Sequence, residues 1–241
     1  MDVAVVVGVG ASRGLGSALA RRFAREGLHV MIAGRTQARL DQVASEIRDA
    51  GGRAGAVPTD TTDEAAVAAL FDAACADERR LALAVYNAGN MRVGNLADMQ
   101  ADYFEETWRT TCFGGFLVGR EAARRMLPAG AGTLIFTGAT ASLRARPPFA
   151  AFASAKAALR ALSFGLAREL GPQGIHVAHA IIDGVIAGDQ VMERFPEARE
   201  RLGEDGMLDI DAIADAYWSL HRQQRTAWPA ELDLRPYKES F

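Results

Sequence analysis

The sequence predicts an α/β fold: a doubly wound parallel sheet of about seven strands with helices on both faces. Two observations predict it. Short, β-rich apolar runs alternate with helical segments along the whole chain, the pattern of a parallel sheet joined by crossover helices. A glycine-rich turn, with glycines at 10, 14 and 16, separates the first apolar run from the first helical segment. Such folds place this turn where a strand hands over to a helix.

Each element has its own local pattern. Residues 3–9 form a short apolar run, the signature of a strand buried on both faces. Residues 14–27 have helical spacing and end at a capping glycine, Gly27. A second strand is expected over 28–34, then a helix over 37–50 broken by Gly51-Gly52. A weaker strand covers 53–59, a helix 63–77, and a fourth strand 81–87. The stretch 101–127 reads as one long helix or a broken pair, stopped by Pro128. A fifth strand is expected over 132–138 and an Ala/Leu-rich helix over 150–170, ended by Gly171-Pro172. A sixth strand over 175–182, a helix near 209–223 and an edge strand over 231–234 complete the order. With no linker, repeat or low-complexity segment, a single domain over residues 1–241 is expected.

Bulk composition excludes several classes. The net charge is -3, with basic residues spread along the chain, so nothing favours nucleic acid or an acidic membrane surface. The start is acidic where a secretory signal is basic, and no stretch approaches the roughly 18 apolar residues of a membrane helix. A cytoplasmic protein is the expectation. Cys75 and Cys112, like the four histidines, show no metal-type spacing.

The nucleotide end is the clearest motif. In Gly10-Ala11-Ser12-Arg13-Gly14-Leu15-Gly16, glycine lets the backbone turn tightly and brings a pyrophosphate to the positive end of the following helix. An acid after the second strand would hold the ribose 2′-hydroxyl of NAD. Here that slot is Arg35, with Arg13 as a second guanidinium, a pair suited to a 2′-phosphate. NADP(H) is therefore expected over NAD(H), the alternative being two solvated arginines. Asp60 can meet an adenine amino group or simply serve the capping cluster at 61–63. Asn87-Ala88-Gly89 offers a side chain to tie strands together and space for a cofactor, or is an ordinary turn.

These motifs, in this order, resemble the short-chain dehydrogenase/reductase family across essentially the whole chain. The resemblance rests on the turn at 10–16, Asp60, Asn87-Ala88-Gly89, and Lys156 with its helix. It implies one Rossmann-like domain, a homodimer or homotetramer, and hydride transfer between NAD(P) and a small-molecule carbonyl or alcohol. It also implies an asparagine, a serine, a tyrosine and a lysine at the reacting end. In this chain the lysine is Lys156, the tyrosine slot holds Phe152 and the serine slot Ala139. The asparagine slot falls on Thr111, or on Cys112 if the register slips by one. The usual Pro-Gly after the sixth strand, whose glycine lies beside the cofactor, reads Asp183-Gly184.

Phenylalanine has the ring without the hydroxyl, so it cannot carry a proton. Losing a positioned general acid costs roughly 10²–10⁴ in rate, and losing an oxyanion donor a similar factor. Three readings remain open. Hydride goes to an acceptor that needs no strong acid there, such as a conjugated C=C or an iminium carbon. Or substitute groups act: Thr140, Thr137, Asp183 or Thr111. Or the protein binds NADP(H) without turnover. The region 185–208, with Ile186, Val191, Met192, Phe195, Leu202 and Met207, is expected to cover an apolar substrate. His176 and His179 read as satisfied core histidines.

Overall fold

The computed structural model describes residues 1–89, 91 and 93–239. Seven strands form one sheet: β1 (Asp2–Val7), β2 (His29–Gly34), β3 (Arg53–Pro58), β4 (Arg80–Tyr86), β5 (Gly132–Thr137), β6 (Ile175–Ile182) and β7 (Glu231–Leu234). Their order is β3-β2-β1-β4-β5-β6-β7, and every pairing is parallel. Strand order therefore runs outward in both directions from β1 and β4, which leaves a crevice at their carboxyl ends.

Nine α-helices accompany the sheet among the described residues: α1 (Leu15–Arg25), α2 (Gln37–Asp49), α3 (Glu64–Ala74), α4 (Ala101–Trp108), α5 (Gly114–Met126), α6 (Ala150–Leu170), α7 (Asp189–Arg194), α8 (Ala198–Leu202) and α9 (Ile210–Arg222). Phe23 of α1, Ile47 of α2 and Tyr217 of α9 bury against one face, with Val6, Ile32 and Ile135. Phe71 of α3, Leu117 of α5 and Leu159 of α6 bury against the other, with Val5, Tyr86 and Phe136. Each such side chain contributes roughly 1.5–3 kcal/mol, well above an exposed ion pair.

The elements match the sequence pattern, except that α7 and α8 lie in a stretch where the sequence predicts no helix and two boundaries shift. The first strand stops at Val7, two residues early, because Gly8 turns at φ 91° and the amides of Gly8 and Val9 both donate to Ala33 O, at 2.9 Å each. The third helix ends at Ala74 because the Arg79 side chain donates to the carbonyls of Ala73 and Ala74, both at 2.9 Å. The stretch 101–127 is a broken pair, joined by a π-helical turn over Arg109–Phe113. The buried Tyr86 hydroxyl donates to Thr110 O, and a Cβ at Gly114 would press on that same hydroxyl. The wide turn accommodates both.

Candidate active site

The nucleotide end forms where β1 meets α1. Gly14 is the N-cap of α1 and makes no side-chain cap bond, so the first helical amides, beginning at Leu15, stay open to an anion. Gly16 is required by close packing: a Cβ there would lie 2.7 Å from Gly8 O and 3.1 Å from Val9 Cα. Gly10 differs. A Cβ built on it meets no protein atom within 4 Å, and its φ lies outside the left-handed region. The protein's own packing gives no reason for glycine at 10; an open cradle for a ligand does. The residues therefore fit a dinucleotide.

Two residues of the turn are tied to acids. Ser12 Oγ meets both carboxylate oxygens of Glu46, at 2.8 and 2.7 Å, and Arg21 joins at 3.3 Å. The hydroxyl thus faces α2, and what Ser12 offers a cofactor is its backbone. Arg13 N donates to Asp189 Oδ2 at 3.2 Å, and its Nε lies 3.7 Å from Oδ1. Arg35 stands exposed after β2, with no ion-pair partner among the described residues. Asp60 Oδ1 accepts from Thr62 N and Oγ1, each at 2.8 Å, and these bonds, aided by Arg35 and Arg109, hold its carboxyl below the usual range. Asp63, not Asp60, caps α3. Asn87 N donates to Val7 O at 2.9 Å, and Asn87 Nδ2 to Gly8 O at 3.2 Å. This is the strand-to-strand tie expected of it. Ala88 and Gly89 come next, at the β4 end.

At the reacting end, Lys156 of α6 is 5% exposed and donates from Nζ to Thr137 O at 2.7 Å. Burial pushes its pKa down to about 8. Phe152, one turn earlier and 9% exposed, places its ring centroid 5.8 Å from Nζ. A Cβ on Gly89 would lie 3.4 Å from Nζ and 4.0 Å from Thr111 Oγ1. Thr111, inside the π turn, is completely buried, and its hydroxyl has no partner among the described residues. Lys156 Nζ and Thr111 Oγ1 thus both lie close to Gly89, with the Phe152 ring beside the lysine. A buried hydroxyl left without any partner costs about 1–3 kcal/mol, so the position fits a polar group, water or ligand, bound there.

The other substitutes are engaged elsewhere. Thr137 Oγ1 pairs with Tyr217 OH at 2.9 Å on the opposite face of the sheet, which removes it from the site. Thr140 Oγ1 donates to Asp183. Asp183 is 2% exposed and also meets Arg144 at 3.3 Å and Arg235 at 3.4 Å. The carboxylate expected as a spare acid is a buried counter-ion that fastens the loop after β5 to the segment after β7. Ala139, in extended conformation, presents no donor side chain before the turn at 140–142. Gly184 packs against Pro236, where a Cβ would lie 2.8 Å from Pro236 Cδ.

Of the two strand histidines, His179 is only half satisfied. His176 Nε2 meets Pro229 O at 2.9 Å, with the Leu220 backbone as a second, weaker partner of the ring, and His179 Nδ1 meets Glu231 Oε2 at 3.0 Å, while His179 Nε2 is buried without a partner among the described residues. Burial lowers the pKa of His179 to about 4.

Residues 185–208 leave β6, pair Ile186 with Leu208, and carry α7 and α8. Sequence reasoning missed Asp189 and Glu46, the acids on the glycine turn. Their pairings span 176 and 34 residues, and no local spacing announces such contacts. Gly8 was detectable, as a glycine ending an apolar run.

An all-parallel sheet with a glycine turn at its switch point, and a buried lysine bonded to the carboxyl end of β5, defines an α/β protein of the Rossmann-like class. The chain belongs to the short chain dehydrogenase family, whose pattern it matches over residues 3–199. It is 31% identical over 215 residues to an NADPH-dependent aldehyde reductase-like protein, chloroplastic, from Arabidopsis thaliana, covering 83% of this chain and 79% of that one. The crystal structure of a short-chain dehydrogenase from Rhodopseudomonas palustris superposes with a TM-score of 0.83 at 38% identity, covering 98% of this chain and 100% of that one. A metagenomic short-chain oxidoreductase in complex with NADP gives a TM-score of 0.83 at 27% identity, with 98% and 97% covered. No helix among the described residues is long and apolar enough to cross a membrane.

Proposed function

We propose that this protein is an NADP(H)-dependent oxidoreductase acting on a small, mostly apolar carbonyl, conjugated C=C or imine, by a proton route that bypasses position 152. The observation that carries this reading is the pairing of the open cradle at Gly10 with Lys156, held beside Thr111 and Gly89 at the facing strand ends. Arg13 and Arg35 support NADP(H), as does the NADPH-dependent relative. The nicotinamide, when bound, supplies or accepts hydride, and the chain's own groups orient it and manage the proton.

Lys156 spends one N–H on Thr137 O and keeps two donors for a ribose hydroxyl or a water. With a pKa of about 8 it is mostly protonated at neutral pH. The unpartnered hydroxyl of Thr111 is placed to hold a water against it. That arrangement suits an acceptor whose negative charge is delocalised, because a water can protonate it without a strong acid. The segment 185–208 closes over the substrate within a single domain. Exposed rings at Phe104, Trp108 and Phe116 support a homodimer or homotetramer, located in the cytoplasm.

A second reading, a catalytically silent NADP(H)-binding protein acting as a sensor or structural partner, is favoured by the engagement of Thr140 and Asp183 with each other. Titration with NADPH and NADH, followed by nicotinamide fluorescence, tests the shared premise: binding of NADPH is expected, and binding of neither removes both readings. NADPH oxidation with enones, iminium compounds or activated ketones then supports the enzyme; a broad panel with no turnover supports the silent protein.

A further inference from the structure

The glycine turn is held from above by the segment expected to cover the substrate. Asp189 N donates to Arg13 O at 2.9 Å, and Arg13 N donates back to Asp189 Oδ2 at 3.2 Å. The second carboxylate oxygen lies 3.7 Å from Arg13 Nε. The approach is close, since a Cβ on Gly188 would sit 2.9 Å from Arg13 O. One aspartate thus accepts from the backbone amide of Arg13 and stands within ion-pair range of its guanidinium, the group that, with Arg35, is expected to meet a 2′-phosphate. Its segment is otherwise anchored at Ile186 and Leu208, and by Arg194 to Met91 O at 3.4 Å.

We propose that Asp189 is a specificity-determining residue: it holds Arg13 in the absence of cofactor and must release it for 2′-phosphate recognition, so cofactor choice and the position of the covering segment are linked. This rests on the NADP(H) reading above. The charges argue for competition. Asp189 carries the same sign as a phosphate, and both seek the same guanidinium. Arg35 has no ion-pair partner among the described residues and feels only the more distant charge of Asp60, so of the two guanidinium groups Arg13 is the one with a close internal acid. NADH lacks the 2′-phosphate and does not draw on the Arg13 guanidinium.

The pair is solvent-exposed, with side-chain exposures of 71% for Arg13 and 35% for Asp189. Exposed pairs have modest strength, so the expected effect is about two- to fivefold in affinity. The test is fluorescence titration of NADPH and NADH on wild-type protein, Asp189→Asn, Arg13→Ala and the double variant. Asp189→Asn tightens NADPH by about two- to fivefold and leaves NADH within about twofold. In the Arg13→Ala background the same change does nothing for NADPH. Hydrogen exchange supplies an independent readout: backbone amides near 188–194 exchange faster in Asp189→Asn than in wild type, and faster in wild type when NADPH is added. Unchanged or weaker NADPH binding, an equal gain for both cofactors, or the same gain without Arg13 overturns the proposal while leaving the NADP(H) reading intact. Failure of wild-type protein to bind either cofactor overturns both.

Discussion

Replacing Lys156 by methionine should make the fold more tolerant of neutral pH while destroying the cofactor site. The ammonium is 5% exposed, and burial lowers its pKa from 10.5 to about 8. At roughly 1.36 kcal/mol per pKa unit, that difference is about 3 kcal/mol. The folded state binds the proton less tightly than the unfolded chain does. The penalty is therefore fully present below pH 8, shrinks between pH 8 and 10.5, and is gone above 10.5. Methionine removes it but orphans Thr137 O, which costs about 1–3 kcal/mol. The net change at pH 7 falls between zero and about 2 kcal/mol of stabilisation. The pH dependence is sharper, because the orphaned carbonyl does not titrate: the stability difference should swing by about 3 kcal/mol against the variant between pH 7 and 10.5. Urea unfolding of both proteins across that range measures it. Because Lys156 and Lys238 are the only lysines in the chain, NMR of isotope-labelled lysine with Lys238→Arg for assignment reads the titration directly. A stability difference flat from pH 7 to 10.5, or a Lys156 midpoint above about 10, refutes the reasoning.

Three further outcomes are expected. Phe152→Tyr combined with Ala139→Ser should raise ketone reduction by at least about 10²-fold if the pocket is otherwise built for carbonyls; steady-state rates with simple ketones decide it, and no gain indicates a pocket shaped for other acceptors. His179, buried and neutral with a pKa lowered to about 4, takes up its proton less readily than in the unfolded chain. Its stabilising contribution is thus full above pH 6.5, falls as the pH drops below that value and levels off near 4. Acid unfolding of His179→Gln should be shallower over that window by up to about 3 kcal/mol. Asp183→Asn removes the buried carboxylate shared by Arg144 and Arg235, while Arg235 keeps Asp233, and should destabilise by about 1–3 kcal/mol in urea melts.

The sheet and its helices were legible because their signals are local: apolar runs for the strands, and glycine or proline at Gly27, Gly51 and Pro172 for the helix ends. The π turn was not, because it depends on Tyr86 reaching Thr110 O from another element. The site divides the same way. Gly10, Asn87, Gly89 and Lys156 stand where their motifs place them, at the carboxyl ends of β1, β4 and β5. The states of Asp183, Thr137, Ser12 and Arg13 were hidden, since each is decided by a partner distant in the chain. Spacing shows which groups arrive at the crevice; only the folded chain shows which of them are already engaged.

The cradle at Gly10 gives this protein a place where folding and binding come apart. Gly16 cannot change without disturbing the junction of β1 and α1, so its loss would be felt by the fold itself. At Gly10 an added methyl touches nothing the protein owns. In a library of variants, alanine at 10 should persist under selection for folded, abundant protein and vanish under selection for what the protein does. Comparing the two selections at this single position would reveal whether a cell uses the crevice, before any substrate is known.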